Sequence, residues 1–220
     1  MIITRDQFDE KIKEGGLKIA FVGMSNVGKS LRAREFAQQC HFQKVSVDDE
    51  IKEKLGFEDM LAMASWMGFP YEEKFKKHEE IYLNCEEEYT KNCLKGIADN
   101  ENFVLDTTGS VIYLKKSVLD FLQENFLILN LQVSEGMIEL MTKKFFKEPK
   151  PVVWGDSFNQ KKGESNKEAL QRNYPDLLVW RQKQYKALAD VVLDIYTESS
   201  DKKLSFEDFL EIIREELPTE

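Results

Sequence analysis

Short apolar runs rich in β-branched and aromatic residues recur along the chain, and stretches with helical spacing fill the intervals between them. Five runs read as strands, at 17–22, 42–47, 103–106, 126–131 and 191–195. Helical spacing runs through 31–40, 51–55, 57–97 with a break near Gly68-Phe69-Pro70, 114–123, 134–147 and 174–189. Two further helices lie outside this alternation. Thr4-Arg5-Asp6-Gln7 is a capping box that predicts a helix over 5–14, stopped by Gly15-Gly16. Ser205-Phe206-Glu207-Asp208 starts an amphipathic helix to about Leu217, so 197–220 reads as a helical C-terminal extension. Residues 148–168 break the pattern with Pro149, Pro151, Gly155 and Gly163, and a loop this long is functional or disordered. Alternating strands and helices predict an α/β fold, a five-stranded parallel sheet flanked by helices on both faces.

One stretch stands out within that pattern. Gly23-Met24-Ser25-Asn26-Val27-Gly28-Lys29-Ser30 fits G-x-x-x-x-G-K-[ST], the P-loop or Walker A pattern, at every fixed position. It follows the first strand and leads through Leu31 into a helix, which is the context the motif requires. The glycines let the backbone turn and aim its N–H groups at phosphate oxygens, and the helix start adds its positive dipole end. Gly23 to Leu31 are therefore the expected nucleotide-binding residues. Lys29 would reach the β/γ-phosphates and the Ser30 hydroxyl would ligate Mg²⁺.

Composition narrows the partners. At 220 residues the chain has the length of one domain with an insertion, and it can bury a real core. A net charge of −9 and a pI near 5.0 argue against nucleic acid. No apolar run is long enough to span a bilayer, and the N-terminus lacks a signal-peptide core. Cys40, Cys85 and Cys93 show no C-x-x-C spacing, so reduced thiols in a cytoplasmic protein are expected.

The remaining candidates sit at the carboxyl ends of the predicted strands, where open α/β sheets bind ligands. Asp48 and Asp49 follow the second strand. Either could orient or deprotonate an acceptor hydroxyl, and both also suit a helix N-terminus. Asp106 ends the third strand in the position of a Walker B acid that holds Mg²⁺, or is an ordinary turn residue. Lys143, Lys144, Lys147 and Lys150 beside the Pro/Gly-rich segment, and Arg181 beyond it, could stabilise charge at a γ-phosphate. That cluster suggests a mobile lid. Trp66, Trp154 and Trp180 could line a pocket or serve in packing.

From about residue 17 to 195 the chain resembles a shikimate kinase. The stretch Val47-Asp48-Asp49-Glu50-Ile51-Lys52-Glu53-Lys54-Leu55-Gly56 puts Asp48 on the aspartate that holds the shikimate hydroxyls. Lys74-Phe75-Lys76-Lys77-His78-Glu79 resembles the family's Phe-Arg-x-x-Glu segment, with Lys76 at the carboxylate-gripping arginine. Thr107-Thr108-Gly109-Ser110 stands at the substrate-side loop, where the family has three glycines, and Gly109 keeps one of them. Lys150-Pro151-Val152-Val153 stands at the lid's Arg-Pro-Leu-Leu. Arg181-Gln182-Lys183-Gln184-Tyr185 with Ala189-Asp190 resembles the family's second carboxylate-binding segment.

The resemblance implies a single nucleoside-monophosphate-kinase-like domain over 1–220, with sheet order 2-3-1-4-5. It makes 57–97 an acceptor-binding helical insertion and 148–168 a lid. It implies ATP and Mg²⁺ as cofactors, with Lys29, Asp48 and Lys150 catalytic. Asp48, Lys76, Gly109 and Arg181 would bind a hydroxylated small-molecule acceptor, and Ser30 and Asp106 the metal. A monomer is expected. Three alternatives remain at this point: a related kinase of another metabolite or a nucleotide, a GTPase-type switch, and a nucleotide binder that has lost transfer. The switch lacks its guanine motif, since Asn166-Lys167-Glu168-Ala169 has no aspartate and follows no strand.

Overall fold

The structure is a computed structural model in which residues 2–196 and 204–219 are described. In α1 (Arg5–Glu14) the expected capping box is present, Thr4 and Gln7 exchanging side-chain and backbone hydrogen bonds of 3.3 and 3.0 Å. Then come β1 (Lys18–Val22), α2 (Lys29–Gln39), β2 (Gln43–Ser46) and α3 (Val47–Lys54). The helical insertion consists of α4 (Met60–Met67), capped by Gly68, and α5 (Phe75–Asn92). β3 (Phe103–Asp106) is followed by a short 3-10 turn, Val111–Tyr113. The order closes with α6 (Lys116–Asn125), β4 (Leu127–Val133), α7 (Glu135–Lys147), α8 (Asn166–Leu188), β5 (Val191–Tyr196) and α9 (Phe206–Glu216).

All strand pairs are parallel and the order is β2-β3-β1-β4-β5. β1, β3 and β4 read as near-continuous apolar runs because helices cover both of their faces. β2 lies at one edge and is correspondingly more polar and more exposed. Phe21 pairs with Asp106, Ser46 with Asp106, and Val22 with Asn130, so the carboxyl ends of four strands line up along one edge. A single cluster of buried side chains runs from Ile3 to Leu217.

The structure differs from the sequence reading at several boundaries, α5 for one ending at Asn92 rather than at 97. α3 begins at Val47, directly after β2 and four residues before the expected 51, so Asp48 lies in its first turn, as the helix-N-terminus reading has it. α6 starts at Lys116 because the 3-10 turn takes the preceding residues. α8 begins at Asn166, eight residues before Tyr174, and carries Pro175 inside it. The signal for that start is in the sequence: Ser165-Asn166-Lys167-Glu168 is a capping box, its two bonds 3.3 and 2.8 Å long. The irregular connection is therefore 148–165, and 166–168 belong to the helix.

The terminal helices are integral to the core. Arg5 Nε donates to the Arg214 carbonyl at 2.9 Å, and Arg214 Nε pairs with Asp9 at 2.9 Å. Arg32, buried on α2, lies 4.4 Å over the Phe209 ring and donates to the Leu204 carbonyl at 3.2 Å. Phe209 also packs on Phe21 of β1, with ring centres 6.2 Å apart. Residues 197–203 of the expected C-terminal extension lie outside the described residues. Phe209→Ala removes a fully buried ring from this contact and should cost about 3–5 kcal/mol of unfolding free energy, read as a lowered urea midpoint. A change below about 1 kcal/mol would mean that α9 contributes little to the fold.

Candidate active site

β1 ends at Val22 and the backbone turns sharply through 23–28 before α2 begins. Gly23 sits at φ 141°, and a Cβ there would meet the Leu131 carbonyl oxygen at 2.9 Å. Only glycine fits that approach of two backbones. Gly28 caps α2 at φ 90° with no side-chain hydrogen bond, and the first N–H groups of α2, as at any helix start, have no intrahelical partners. The Lys29 ammonium folds back over the loop and donates to the carbonyls of Gly23 and Met24 at 3.0 and 2.9 Å. Burial pushes its pKa down, against the pull of Asp106 and then Asp48.

A cavity of about 320 Å³ opens above this loop. Ser25, Asn26, Gly28, Lys29 and Ser30 line one side of its wall. Asp48 comes from the first turn of α3, Asp106 and Gly109 from the end of β3 and the loop after it, and Lys150 and Arg181 join them on the wall. Of the nine P-loop residues, Gly23, Met24, Val27 and Leu31 are not on this wall. Met24 and Val27 are buried beneath it, and Leu31 is partly exposed on α2. Lys144 of α7 also reaches the cavity, as the sequence suggested for that cluster.

Asp48 accepts a hydrogen bond from the Tyr82 hydroxyl at 2.9 Å. Burial raises its pKa, opposed by Lys29 and by that hydrogen bond. Arg181 is buried, its Nη2 donates to the Val153 carbonyl, and among the described residues its Nε has no hydrogen-bond partner. The Tyr185 hydroxyl donates to the Gly109 carbonyl. A Cβ at Gly109 would lie 3.2 Å from Ser25 Oγ and 3.6 Å from Arg181 Nη1, so this glycine brings the loop after β3 against the P-loop.

Lys76 is not among the lining residues. Its side chain is 66% exposed; it donates to the Gly155 carbonyl at 2.7 Å and lies 3.4 Å from Glu79. Glu79 explains the geometry of the irregular segment, because its Oε1 accepts from the N–H groups of Trp154 and Gly155 at 2.6 and 3.0 Å. Val152, Val153 and Trp154 are buried, so this part of 148–165 carries more apolar area than its proline, glycine and polar content suggests. None of the three tryptophans lines the cavity. Trp154 packs under the segment, Trp66 stacks on His78 at 4.3 Å, and Trp180 is partly exposed beside Tyr113.

The sequence reading places Ser110 in the loop 107–110 but singles out neither Tyr82 nor Glu86. Tyr82 and Ser110 line the cavity, and Glu86 is wholly buried behind them. In the sequence, Tyr82 and Glu86 disappear into the charged face of α5. Their signal was the i, i+4 spacing, which puts both on one side of the helix.

The residues fit a nucleotide and a divalent cation in kind. Unpaired N–H groups at a helix start, a glycine cradle closed against Leu131, and cationic side chains together suit a polyphosphate. Among the described residues no three His, Cys, Asp or Glu side chains cluster as metal ligands. A cation there would therefore need phosphate oxygens or water beside Ser30 and Asp106.

Fold and loop together define the class: a P-loop kinase-like α/β protein. The particular likeness is to shikimate kinases. The shikimate kinase of Acinetobacter baumannii in complex with shikimate matches 92% of this chain and 93% of its own, with 18% identity and a TM-score of 0.62. The enzyme from Bacteroides thetaiotaomicron matches 90% of this chain and 97% of its own, with 15% identity and a TM-score of 0.56. That from Aquifex aeolicus covers 90% and 93%, with 13% identity and a TM-score of 0.50. No family model and no curated protein matches the sequence. Among the described residues no helix is long and apolar enough to cross a membrane.

Glu79→Ala leaves the buried Trp154 N–H and the half-buried Gly155 N–H without an acceptor and frees Lys76 from its ion pair. It should expose Trp154, shift tryptophan emission to longer wavelength and speed proteolysis within 148–165. Unchanged emission and cleavage would show that Glu79 does not hold the segment.

Proposed function

We propose that the protein is an ATP-dependent small-molecule kinase of the shikimate kinase type, whose acceptor is a polar, anionic, hydroxylated molecule with shikimate the first candidate. The observation that carries this reading is the meeting of Lys29, Ser30, Asp48, Asp106, Lys150 and Arg181 around one cavity at the carboxyl edge of the sheet. The nucleotide supplies a γ-phosphoryl group. The backbone N–H groups of 23–31 bind its phosphates, and Lys29 leaves the Gly23 and Met24 carbonyls for a phosphate oxygen. Ser30 and Asp106 hold Mg²⁺. Asp48 accepts a hydrogen bond from the attacking hydroxyl and takes its proton as transfer proceeds, with Tyr82 fixing its orientation. Arg181 neutralises an acidic group on the acceptor, and Lys150 stabilises charge at the transferring phosphoryl. The segment 148–165 acts as a lid that excludes water when both ligands are bound. The chain acts as a cytoplasmic monomer.

Lys76 favours a second reading, a kinase of the same kind with a different acceptor. An ammonium makes no planar bidentate grip on a carboxylate, and this one is engaged with Gly155 and Glu79. Titration of ADP-loaded protein with shikimate decides between the two. Binding supports shikimate; its absence in both wild type and Lys76→Arg turns the search to other hydroxylated acids and nucleotides.

Lys29→Ala should abolish ADP production and weaken ATP binding while the urea midpoint changes little. Normal turnover in the folded variant would remove the P-loop from the mechanism. Asp48→Asn should lower turnover by a factor of about 100 or more and leave ATP affinity near wild type. Because burial raises the pKa of Asp48, and the ionised form is the one that accepts a proton, wild-type turnover should fall with acid at a pH above the ordinary aspartate range. A flat acid limb in wild type would exclude Asp48 as the base.

A further inference from the structure

Glu86 on α5 is wholly buried, and among the described residues no lysine or arginine pairs with it. Its two carboxyl oxygens lie against two hydroxyl groups of the loop after β3. Glu86 Oε1 is 2.5 Å from Thr108 Oγ1, and Glu86 Oε2 is 2.6 Å from Ser110 Oγ. The two hydroxyl oxygens lie 2.8 Å from each other, and Thr108 Oγ1 also accepts from the Ser110 N–H at 2.9 Å.

Counting protons on this ring favours one protonation state. It has three oxygen–oxygen contacts at hydrogen-bond distance, but the hydroxyls bring only two protons. With Glu86 ionised, both hydroxyls donate to the carboxylate, and two oxygens face each other at 2.8 Å with no proton between them. With Glu86 neutral the ring closes. Its O–H donates to one hydroxyl, that hydroxyl to the other, and the last to the second carboxyl oxygen. Thr108 Oγ1 still has a lone pair for the Ser110 N–H.

Burial acts in the same direction as the count. Burial raises the Glu86 pKa to about 7, and the loop hydroxyls oppose that rise. Asp48 from α3 raises it further and Arg181 from α8 lowers it, with Tyr82 on α5 and Tyr185 on α8 the other titratable neighbours.

We infer that Glu86 is a positioning residue of the acceptor side, which as the neutral acid closes a ring of hydrogen bonds with Thr108 and Ser110 and so fixes the loop 107–110 against the cavity. Ser110 and Gly109 of that loop line the cavity, while Glu86 itself does not. The inference rests on the proposed kinase reading only where it names the acceptor side. Its test therefore reads the carboxyl group and the loop, and needs no substrate.

Glu86→Gln is the discriminating variant. A glutamine amide donates at nitrogen and accepts at oxygen, so it closes the same ring without a proton from solvent. Difference infrared spectra of the intact protein at about pH 6 should show a protonated carboxyl band in wild type that is missing in Glu86→Gln. Exchange of the Ser110 amide should stay within about threefold of wild type in Glu86→Gln and rise at least about tenfold in Glu86→Ala, as expected for one lost hydrogen bond.

Linkage supplies a second measure. A folded-state pKa above the unfolded one contributes stability that is complete in acid and is lost as pH rises through the folded value. The wild-type urea midpoint should therefore fall relative to Glu86→Gln between about pH 5 and about pH 8. Absence of the carboxyl band, or a Glu86→Gln protein that fails to fold or exchanges as fast as Glu86→Ala, would overturn the inference, because each means that the charge is what the loop needs. If Glu86→Ala does not fold, the spectrum and the glutamine variant still decide.

Discussion

Parallel hydrogen bonding of β1 between β3 and β4 is the constraint on which the rest of the structure depends. A parallel pair points both chains the same way, so every strand delivers its carboxyl end to one edge. The P-loop leaves β1 there, Asp106 ends β3 there, and α3 carries Asp48 in from β2. A shift of β3 by one residue would turn the Asp106 side chain to the other face of the sheet and leave a carboxylate in the core. The dense apolar burial of β1, β3 and β4 thus holds the geometry of the polar site as well as the stability of the chain.

Electrostatics separates the cavity from its surroundings. The chain is strongly acidic as a whole, yet four cationic side chains, Lys29, Lys144, Lys150 and Arg181, face two carboxylates, Asp48 and Asp106, on the cavity wall. Several of these groups are partly or wholly desolvated, which raises the energy of any unbalanced charge. A polyanionic ligand balances that wall better than water does. The acidic exterior meanwhile repels other polyanions and leaves the cavity as the place where one is welcome.

The fold was legible because its signals are local and periodic. Both terminal capping signals, the P-loop and all five strands can be read from short windows, and each of them is where the sequence puts it, within a residue or two at the ends. The start of α8 lies eight residues before the expected one although its capping box, Ser165 with Glu168, is a local signal. The site was legible in part. Asp48, Gly109, Lys150 and Arg181 share one cavity, in keeping with the motif pattern. Lys76 does not share it, because Gly155 and Glu79, the one distant in sequence and the other a helical neighbour, hold its ammonium elsewhere. For Tyr82, Glu86 and Ser110 the sequence offers a shared helix face and a loop position but not the partners, because each hydrogen-bonds to a residue at least 22 positions away.

The pairing of α1 with α9 also brings the beginning and the end of the described chain together. Arg5 N–H donates to the Pro218 carbonyl at 3.0 Å, and the Arg214–Asp9 pair lies alongside. Ends that touch can be joined by a short linker at small entropic cost, and the chain can then be opened elsewhere. The turns at Gly56 and Gly163 face open space and offer places to open it. The order in which β1 to β5 are encoded is therefore a property of the gene more than of the fold, and a rearranged chain can carry the same cavity.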